Sequence, residues 1–298
     1  MPELPDIELY VHKLSELLIG QPLLKLRTFT PFVLRTFDPK PADLEGKVIL
    51  GFRRLGKRIV FELEDGLFVI VHLMIAGRFQ WKTAVKSPNP AGKIGLATFE
   101  FPIGTLVLTE AGSKKRAGIY LVRGEAALHE HDPGGLEPLE ADLPAFKAAL
   151  QSQNSTVKRA LTSPKIFSGI GNAYSDEILH AAKLSPMKLT SRLTDEEIAY
   201  LFEKTQSTLI RWAEVLKGEF KNKFPGPGDV TAFRPDFAVH GKYGKPCPVC
   251  GKPVQHVVFA DNEMNYCAQC QNDGKLLADR AMSRLLKGDR PKTLDDLD

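Results

Sequence analysis

The chain opens MPELPDIELY, and these first residues could do covalent chemistry. A residue as small as Pro2 lets an aminopeptidase remove Met1, which would leave Pro2 with a free secondary amine. An α-amino group titrates at about 8, against about 10.4 for lysine, so part of it is unprotonated and nucleophilic at neutral pH. Such an amine attacks an electrophilic carbon and forms an iminium. Glu3 and Asp6 set carboxylates close beside it in the sequence. A plainer reading is that Pro2 and Pro5 only shape the entry to a first helix, and the opening residues alone do not choose between the two.

Two further motifs carry chemistry. All four cysteines fall in two pairs, Cys247-Pro-Val-Cys250 and Cys267-Ala-Gln-Cys270, separated by sixteen residues. That spacing fits a structural four-cysteine zinc site on a β-hairpin, closed by four thiolates and so without catalytic metal chemistry. Two disulfides are the alternative, disfavoured in a chain that reads as cytosolic. His240 and His256 lie nearby and are not expected to bind the metal. The stretch SGIGNAYSDEIL (168–179) is a glycine-punctuated turn leading into a helix, whose first N–H groups can hold a phosphate, with the Asn172 side chain as a further donor. A tight helix-helix connection, with Gly169 and Gly171 supplying backbone freedom, explains it equally well.

These residues need elements to position them. Ile7, Val11, Leu14, Leu17 and Leu18 recur at helical spacing, which predicts an amphipathic helix over 6–18 with Pro2 just outside its N-terminal end. Short apolar runs punctuated by turns follow at 59–63, 67–73, 96–101, 105–109 and 119–122, a β-rich half read as a sandwich or barrel. Glycine and proline concentrate at 132–144, where helical patterns take over, so the linker falls there. Helices are expected at 144–151, 156–161, 172–182 and 195–217, the last with Thr194 and Glu197 spaced as a capping box and Gly218 as its stop. FPGPGD (224–229) reads as an irregular loop. After Cys270, the apolar residues Leu276, Leu277, Ala281, Leu285 and Leu286 suggest a short helix without an evident function.

At 298 residues and 43% hydrophobic content the chain can fill two cores. No apolar run approaches the roughly 20 residues of a membrane span, and the start lacks a basic, then apolar leader, so a cytoplasmic protein is expected. A net charge of +4 barely favours an anionic partner, which leaves that argument to clusters: Arg53, Arg54, Lys57 and Arg58; Lys114, Lys115 and Arg116; and the basic residues between Lys217 and Lys252. Each cluster alone also fits an ordinary solvated face.

Taken together, PELPDIE, RRLGKRIVFEL, HLMIAGR, GIGNAYSDEIL, AVHGKYGKPCPVCG and YCAQCQ follow one another as in the formamidopyrimidine-DNA glycosylase / endonuclease VIII family, and the resemblance spans residues 2–271. It implies a multidomain α+β protein: an N-terminal β-sandwich with a flanking helix (1–131), a helix-two-turns-helix domain (132–239), a β-hairpin zinc finger (240–271) and a tail (272–298). It also implies a bifunctional base-excision repair enzyme. Pro2 would attack C1′ of a flipped, damaged nucleotide and leave an iminium, Glu3 would shuttle protons, and elimination would cleave the strand. Asp6 stands where the family usually has glutamate. Lys57 matches the lysine that contacts DNA near the lesion, and Asn172, after Gly171, the phosphate-binding asparagine. The expected partner is damaged DNA, whether duplex, single-stranded or abasic, met by a monomer holding one zinc ion, in a cytoplasm where it associates with the nucleoid.

The sequence also departs from that pattern. Where the formamidopyrimidine branch inserts methionine, arginine and phenylalanine into the gap left by the flipped base, this chain has Ile75, with Met74 one place earlier, Lys115 and Ala117, flanked by Arg116. Asn262 replaces the zinc-finger arginine. An alanine does not wedge between bases, so the expectation is stronger action on abasic, single-stranded or mismatched sites than on 8-oxoguanine opposite cytosine. A second reading is a catalytically weak DNA-damage or DNA-structure binding protein with the same fold. An RNA-binding zinc module is the third, and it leaves Pro2 and Glu3 unexplained.

Overall fold

The computed structural model describes residues 1–84, 89, 91–259, 262–278 and 292–297. They form two compact units, Met1–Pro133 with Trp212–Ala232, and Gly134–Arg211 with Phe233–Asp298.

The first unit begins with helix α1 (Leu4–Leu18), which starts two residues earlier than the apolar spacing predicts. The reason is a cap: the Asp6 carboxylate accepts the Glu3 N–H at 2.9 Å, so the chain enters the helix at Leu4 with Pro5 in the first turn, where a missing N–H costs nothing. Eight strands follow: β1 (Lys25–Thr28), β2 (Ile49–Leu55), β3 (Arg58–Leu63), β4 (Leu67–His72), β5 (Gly77–Lys82), β6 (Gly95–Phe101), β7 (Gly104–Glu110) and β8 (Gly118–Arg123). They build two antiparallel four-stranded sheets, in the orders β1-β6-β7-β5 and β2-β3-β4-β8. β1, β2 and β5 were not anticipated, because KLRT, ILGFRRL and GRFQWK mix charge into the strand and hide its period.

The sheets and α1 share one core. Phe61 of β3 meets Phe99 of β6 edge to face at 5.2 Å, and Phe79 of β5 does the same with Tyr10 of α1 at 5.7 Å; such pairs add about 0.5–1.5 kcal/mol beyond area burial. β4 reads as an unbroken apolar run because both its faces are covered. Leu67, Val69 and Val71 face this core, while Phe68 and Ile70 pack with Val60, Val122 and Leu128 of the short helix α2 (Glu125–His129). Leu216, Phe220 and Val230, far along the chain, are buried in the same core as Tyr10 and Phe79.

The second unit holds α3 (Leu143–Gln151), α4 (Val157–Thr162), α5 (Asn172–Ala181) and the start of α6 (Asp195–Glu219). The capping box of α6 is present, with Thr194 N–H to Glu197 Oε2 at 2.9 Å and Glu197 N–H to Thr194 Oγ1 at 3.2 Å. Gly218 is not its stop. The helix runs through it to Glu219, and Phe220 still donates to the Leu216 carbonyl. The hairpin β9 (Gln255–Phe259) and β10 (Asn262–Tyr266) precedes the short helix α7 (Ala268–Asn272). Of the proposed tail helix, Ala281, Leu285 and Leu286 lie outside the described residues. Leu276 and Leu277 pack with Val257, Met264 and Tyr266, and the Leu277 N–H donates to the Tyr266 hydroxyl at 2.7 Å.

Candidate active site

The N-terminal end of α1 places Pro2 and Glu3, both buried, ahead of the first turn. The β2–β3 hairpin places Lys57 in a two-residue turn with Gly56, whose φ of +61° suits the first central position of a II′ turn. Burial lowers the pKa of the Met1 amine, one residue ahead of Pro2; Glu3 and Asp6 push it up, while Arg78 and Lys57 push it down further. Burial likewise lowers Lys57, with Glu3 opposing. One amine, two carboxylates, a lysine and an arginine therefore share one electrostatic neighbourhood, in which an amine is biased toward its neutral, nucleophilic form.

Arg78 was not singled out from the sequence, although it ends the HLMIAGR motif. Its guanidinium donates to the Val230 carbonyl at 2.7 Å, to Gly77 at 2.6 Å and to Ile75 at 3.1 Å, tying the turn at 73–77 to the segment that follows α6. The loop 224–229 is organised by Asp229, which accepts the Gly226 N–H at 2.8 Å, and by Phe224, whose ring lies 6.0 Å from that of Tyr10. Burial drives the Tyr10 hydroxyl far above its ordinary range, and it accepts the Phe79 N–H at 3.3 Å.

The turn after β4 presents Met74 and Ile75. Burial, with Arg58 and Lys57 adding to it, pushes His72 down to about 4, so its ring is neutral and Nδ1 accepts the Met74 N–H at 3.0 Å. Met74 takes a left-handed conformation, φ +53°, and Ile75 projects 61% exposed. Gly77 is demanded by space, since a Cβ there would lie 2.2 Å from the Leu73 carbonyl oxygen. The loop carrying Lys115, Arg116 and Ala117 is held by buried Glu110, whose Oε2 accepts the N–H of Arg116 at 2.8 Å and of Ala117 at 3.1 Å, while Lys115 Nζ donates to its carbonyl.

The basic cluster at 53–58 is mostly internal pairing. Arg53 forks onto both Glu125 oxygens at 2.6 and 2.7 Å and pairs with Glu62 at 2.8 Å, Arg54 pairs with Glu8 at 2.8 Å, and Arg58 donates to the His131 carbonyl at 2.7 Å.

In the second unit, Asn172 begins α5, and its side chain donates to the Glu263 carbonyl at 2.6 Å. An amide has two such hydrogens, and this bond uses one. Gly171 has φ −131°, open to any residue; Gly169, at +77°, is the glycine the turn requires. Behind this turn Lys158 Nζ donates to the Asn172 carbonyl at 3.0 Å, Ser175 Oγ at 2.9 Å and Asp176 Oδ1 at 2.5 Å. Asp176 Oδ2 meets His240 Nδ1 at 2.7 Å and accepts the Asn265 N–H at 3.1 Å. Glu177 accepts the N–H groups of Ala238, Val239 and His240 at 2.7, 2.9 and 2.9 Å. Asn262 opens β10 opposite Phe259; its side chain lies outside what the structure describes.

The four cysteine Sγ atoms lie within 4.8 Å of one another. A tetrahedral zinc with bonds of about 2.3 Å needs sulfurs about 3.8 Å apart, and Cys247–Cys270 and Cys250–Cys267 lie at 3.9 and 3.4 Å, too long for disulfides. Burial pushes the Cys270 thiol up to about 11, so a bound cation is what would hold it as a thiolate. The surroundings fit a metal: Cys267 Sγ accepts the Cys270 N–H at 3.4 Å, and His180 Nε2 lies 3.3 Å from Cys247 Sγ. His256 stacks on Tyr243 at 3.8 Å.

The fold and these sites define a protein built of three recognisable parts. Residues 1–111 match the formamidopyrimidine-DNA glycosylase N-terminal domain, 135–222 its H2TH domain, and 244–272 the zinc finger found in FPG and IleRS. An uncharacterized formamidopyrimidine-DNA glycosylase-like protein of Mycobacterium tuberculosis is 39% identical over 161 residues, 51% of this chain and 94% of that protein. The formamidopyrimidine-DNA glycosylase of Lactococcus lactis subsp. cremoris is 28% identical over 277 residues, 91% of this chain and 99% of that one. The structure of Lactococcus lactis Fpg in complex with DNA containing an abasic site superposes with a TM-score of 0.80 at 26% identity, covering 91% of this chain and 99% of that chain. The chain belongs to the formamidopyrimidine-DNA glycosylase family. No described helix is long and apolar enough to cross a membrane.

Proposed function

We propose that this protein removes damaged bases from DNA and then cleaves the abasic strand, with Pro2 as nucleophile. The observation that carries the reading is the head of α1, where Pro2 and Glu3 are buried together and where burial, Arg78 and Lys57 lower the pKa of the Met1 amine one residue ahead of Pro2. With Met1 removed, the Pro2 nitrogen bonds to C1′ of a flipped nucleotide as the glycosidic bond breaks and the base leaves with a proton. The C1′–O4′ bond then opens to an iminium, and O4′ takes a proton from Glu3. The iminium acidifies C2′; loss of that proton expels the 3′ phosphate, and water releases the amine.

Lys57 steers the phosphate beside the lesion, and Asp6 acts through the Glu3 backbone as a positioning residue. The second amide hydrogen of Asn172, with the N–H groups that follow Gly171, holds backbone phosphate; Lys115 and Arg116 add charge, Met74 and Ile75 apolar contact, and Asn262 a neutral contact from the hairpin. Cys247, Cys250, Cys267 and Cys270 hold one zinc ion that stabilises the hairpin and takes no part in the reaction. Residues 1–131, 132–239 and 240–271 serve as catalytic, helix-two-turns-helix and zinc-finger domains of a cytoplasmic monomer, a compartment suited to cysteines held as thiolates.

Borohydride trapping tests this. Processed protein becomes covalently linked to abasic DNA, Pro2→Gly retains a primary amine and part of the lyase activity, and protein that keeps an N-terminal tag does not link. Undiminished trapping by the tagged form moves the nucleophile elsewhere, with Lys57 the first candidate. Binding without any trapping makes the protein a damage binder.

A further inference from the structure

Three loops of the first unit adjoin at the β7–β8 connection. A Cβ built on Gly112 would lie 3.7 Å from that of Ala76, so the loop 111–117 touches the turn bearing Ile75. Lys115 and Ala117 of the same loop line a depression of about 120 Å³ with Thr30, Phe32, Val33 and Leu96. Phe32 is 74% exposed there, although burying such a side chain contributes roughly 1.5–3 kcal/mol.

A single exposed phenylalanine needs no explanation, but three features set Phe32 apart. Its segment is pinned at both ends: Phe29 donates to the Leu96 carbonyl at 2.8 Å, Ile119 to the Val33 carbonyl at 2.7 Å, Arg35 to the Ile119 carbonyl at 2.8 Å, and Leu121 to Thr36 Oγ1 at 2.8 Å. The ring is therefore presented on an ordered backbone. A second exposed apolar side chain, Ile75, projects from the turn that adjoins the same loop. Exposed Lys114 and Arg116 flank the site with the charge that phosphates require. Apolar side chains ringed by cations suit a polyanion with apolar base faces, and proteins that open a duplex insert such side chains between base steps.

We propose that Phe32 is the aromatic residue that enters the duplex at the lesion and stacks on the base left unpaired when the damaged nucleotide is flipped, in the place Ala117 is too small to fill. This rests on the glycosylase reading above. Phe32 is a specificity-determining residue of the duplex reaction and takes no part in the bond chemistry.

The test compares Phe32→Ala, Phe32→Leu and Phe32→Trp with Phe37→Ala, since Phe37 is 94% exposed and lines no part of the depression. Base stacking on an aromatic is worth about 1–3 kcal/mol, which converts to roughly 5- to 150-fold. Phe32→Ala should lose that factor in base excision from duplex DNA and change trapping on single-stranded abasic DNA less than about twofold. Phe32→Trp should match the wild type, Phe32→Leu should fall between, and Phe37→Ala should change nothing. With 2-aminopurine opposite an abasic analogue, wild-type protein should quench the fluorescence and Phe32→Ala should not. Equal duplex activity of Phe32→Ala and wild type, equal losses on duplex and single strand, or equal quenching by both overturns the proposal. A wild type that never traps abasic DNA refutes the glycosylase reading instead, and the quenching comparison still decides the role of Phe32.

Discussion

Replacing Asp6 separates holding the site from acting in it. The carboxylate is buried and accepts the Glu3 N–H at 2.9 Å, the bond that begins α1. Asp6→Ala opens the capping box at the N3 position and takes away the acceptor that a buried N–H uses, at about 1–3 kcal/mol. The two overlap, so a loss of about 2 kcal/mol is expected. For a unit of this size that lowers the melting temperature by roughly 4–8 °C. Freed of its cap, the segment carrying Pro2 and Glu3 shifts, and a displacement of about 1 Å in a reacting group costs on the order of a hundredfold in rate. Borohydride trapping of abasic DNA, measured well below both melting transitions, should therefore slow by about 10- to 100-fold. Asp6→Asn keeps an acceptor oxygen for the Glu3 N–H, so it should melt within a degree or two of wild type and trap at a similar rate. If Asp6→Asn traps as poorly as Asp6→Ala while melting normally, Asp6 moves a proton itself and the positioning account is wrong.

His72 should make stability depend on pH. Its folded pKa of about 4 lies below the usual value of about 6.5, so the unfolded chain binds the extra proton between those limits; stability is full above about 6.5 and falls by up to about 3 kcal/mol as the pH approaches 4. His72→Gln, which keeps an acceptor for the Met74 N–H, should flatten that slope in urea melts, and equal slopes would mean that His72 is solvated. Glu3→Gln should slow base excision far more than it weakens binding to DNA with a stable abasic analogue, whereas equal loss of both would make Glu3 structural. Metal analysis of fresh protein should find one zinc per chain, lost on Cys247→Ser; no zinc, or two disulfides by mass spectrometry, removes the metal site.

What the sequence made legible was local. The apolar run of β4, the Thr194–Glu197 box and the two cysteine pairs each lie within a short window, and each is present in the structure. Contacts that join distant segments were not visible. Arg53 and Arg54 read as a basic patch because their partners, Glu125 and Glu8, lie 72 and 46 residues away. Arg78 gave no signal apart from its motif, since its partner is a carbonyl at position 230. Asn172 was legible as a donor, but not the carbonyl at 263 that it already serves. Position by position Ala117 stands where a phenylalanine would wedge, while the neighbouring ring of Phe32 comes from a loop some eighty-five residues earlier, a proximity that only the closed sandwich creates.

The core of the first unit is completed by Leu216, Phe220 and Val230, and Arg78 needs the Val230 carbonyl. During synthesis residues 134–211 are made between Pro133 and these three side chains, so the core of the first unit stays incomplete for roughly 4–16 seconds at ~5–20 residues per second. The nascent N-terminal half must spend that interval with an incomplete core, while the intervening helices can begin to fold. A fragment ending near Pro133 would lack Leu216, Phe220 and Val230 for good, so the core that holds Tyr10 and Phe79 is finished only by residues from far along the chain.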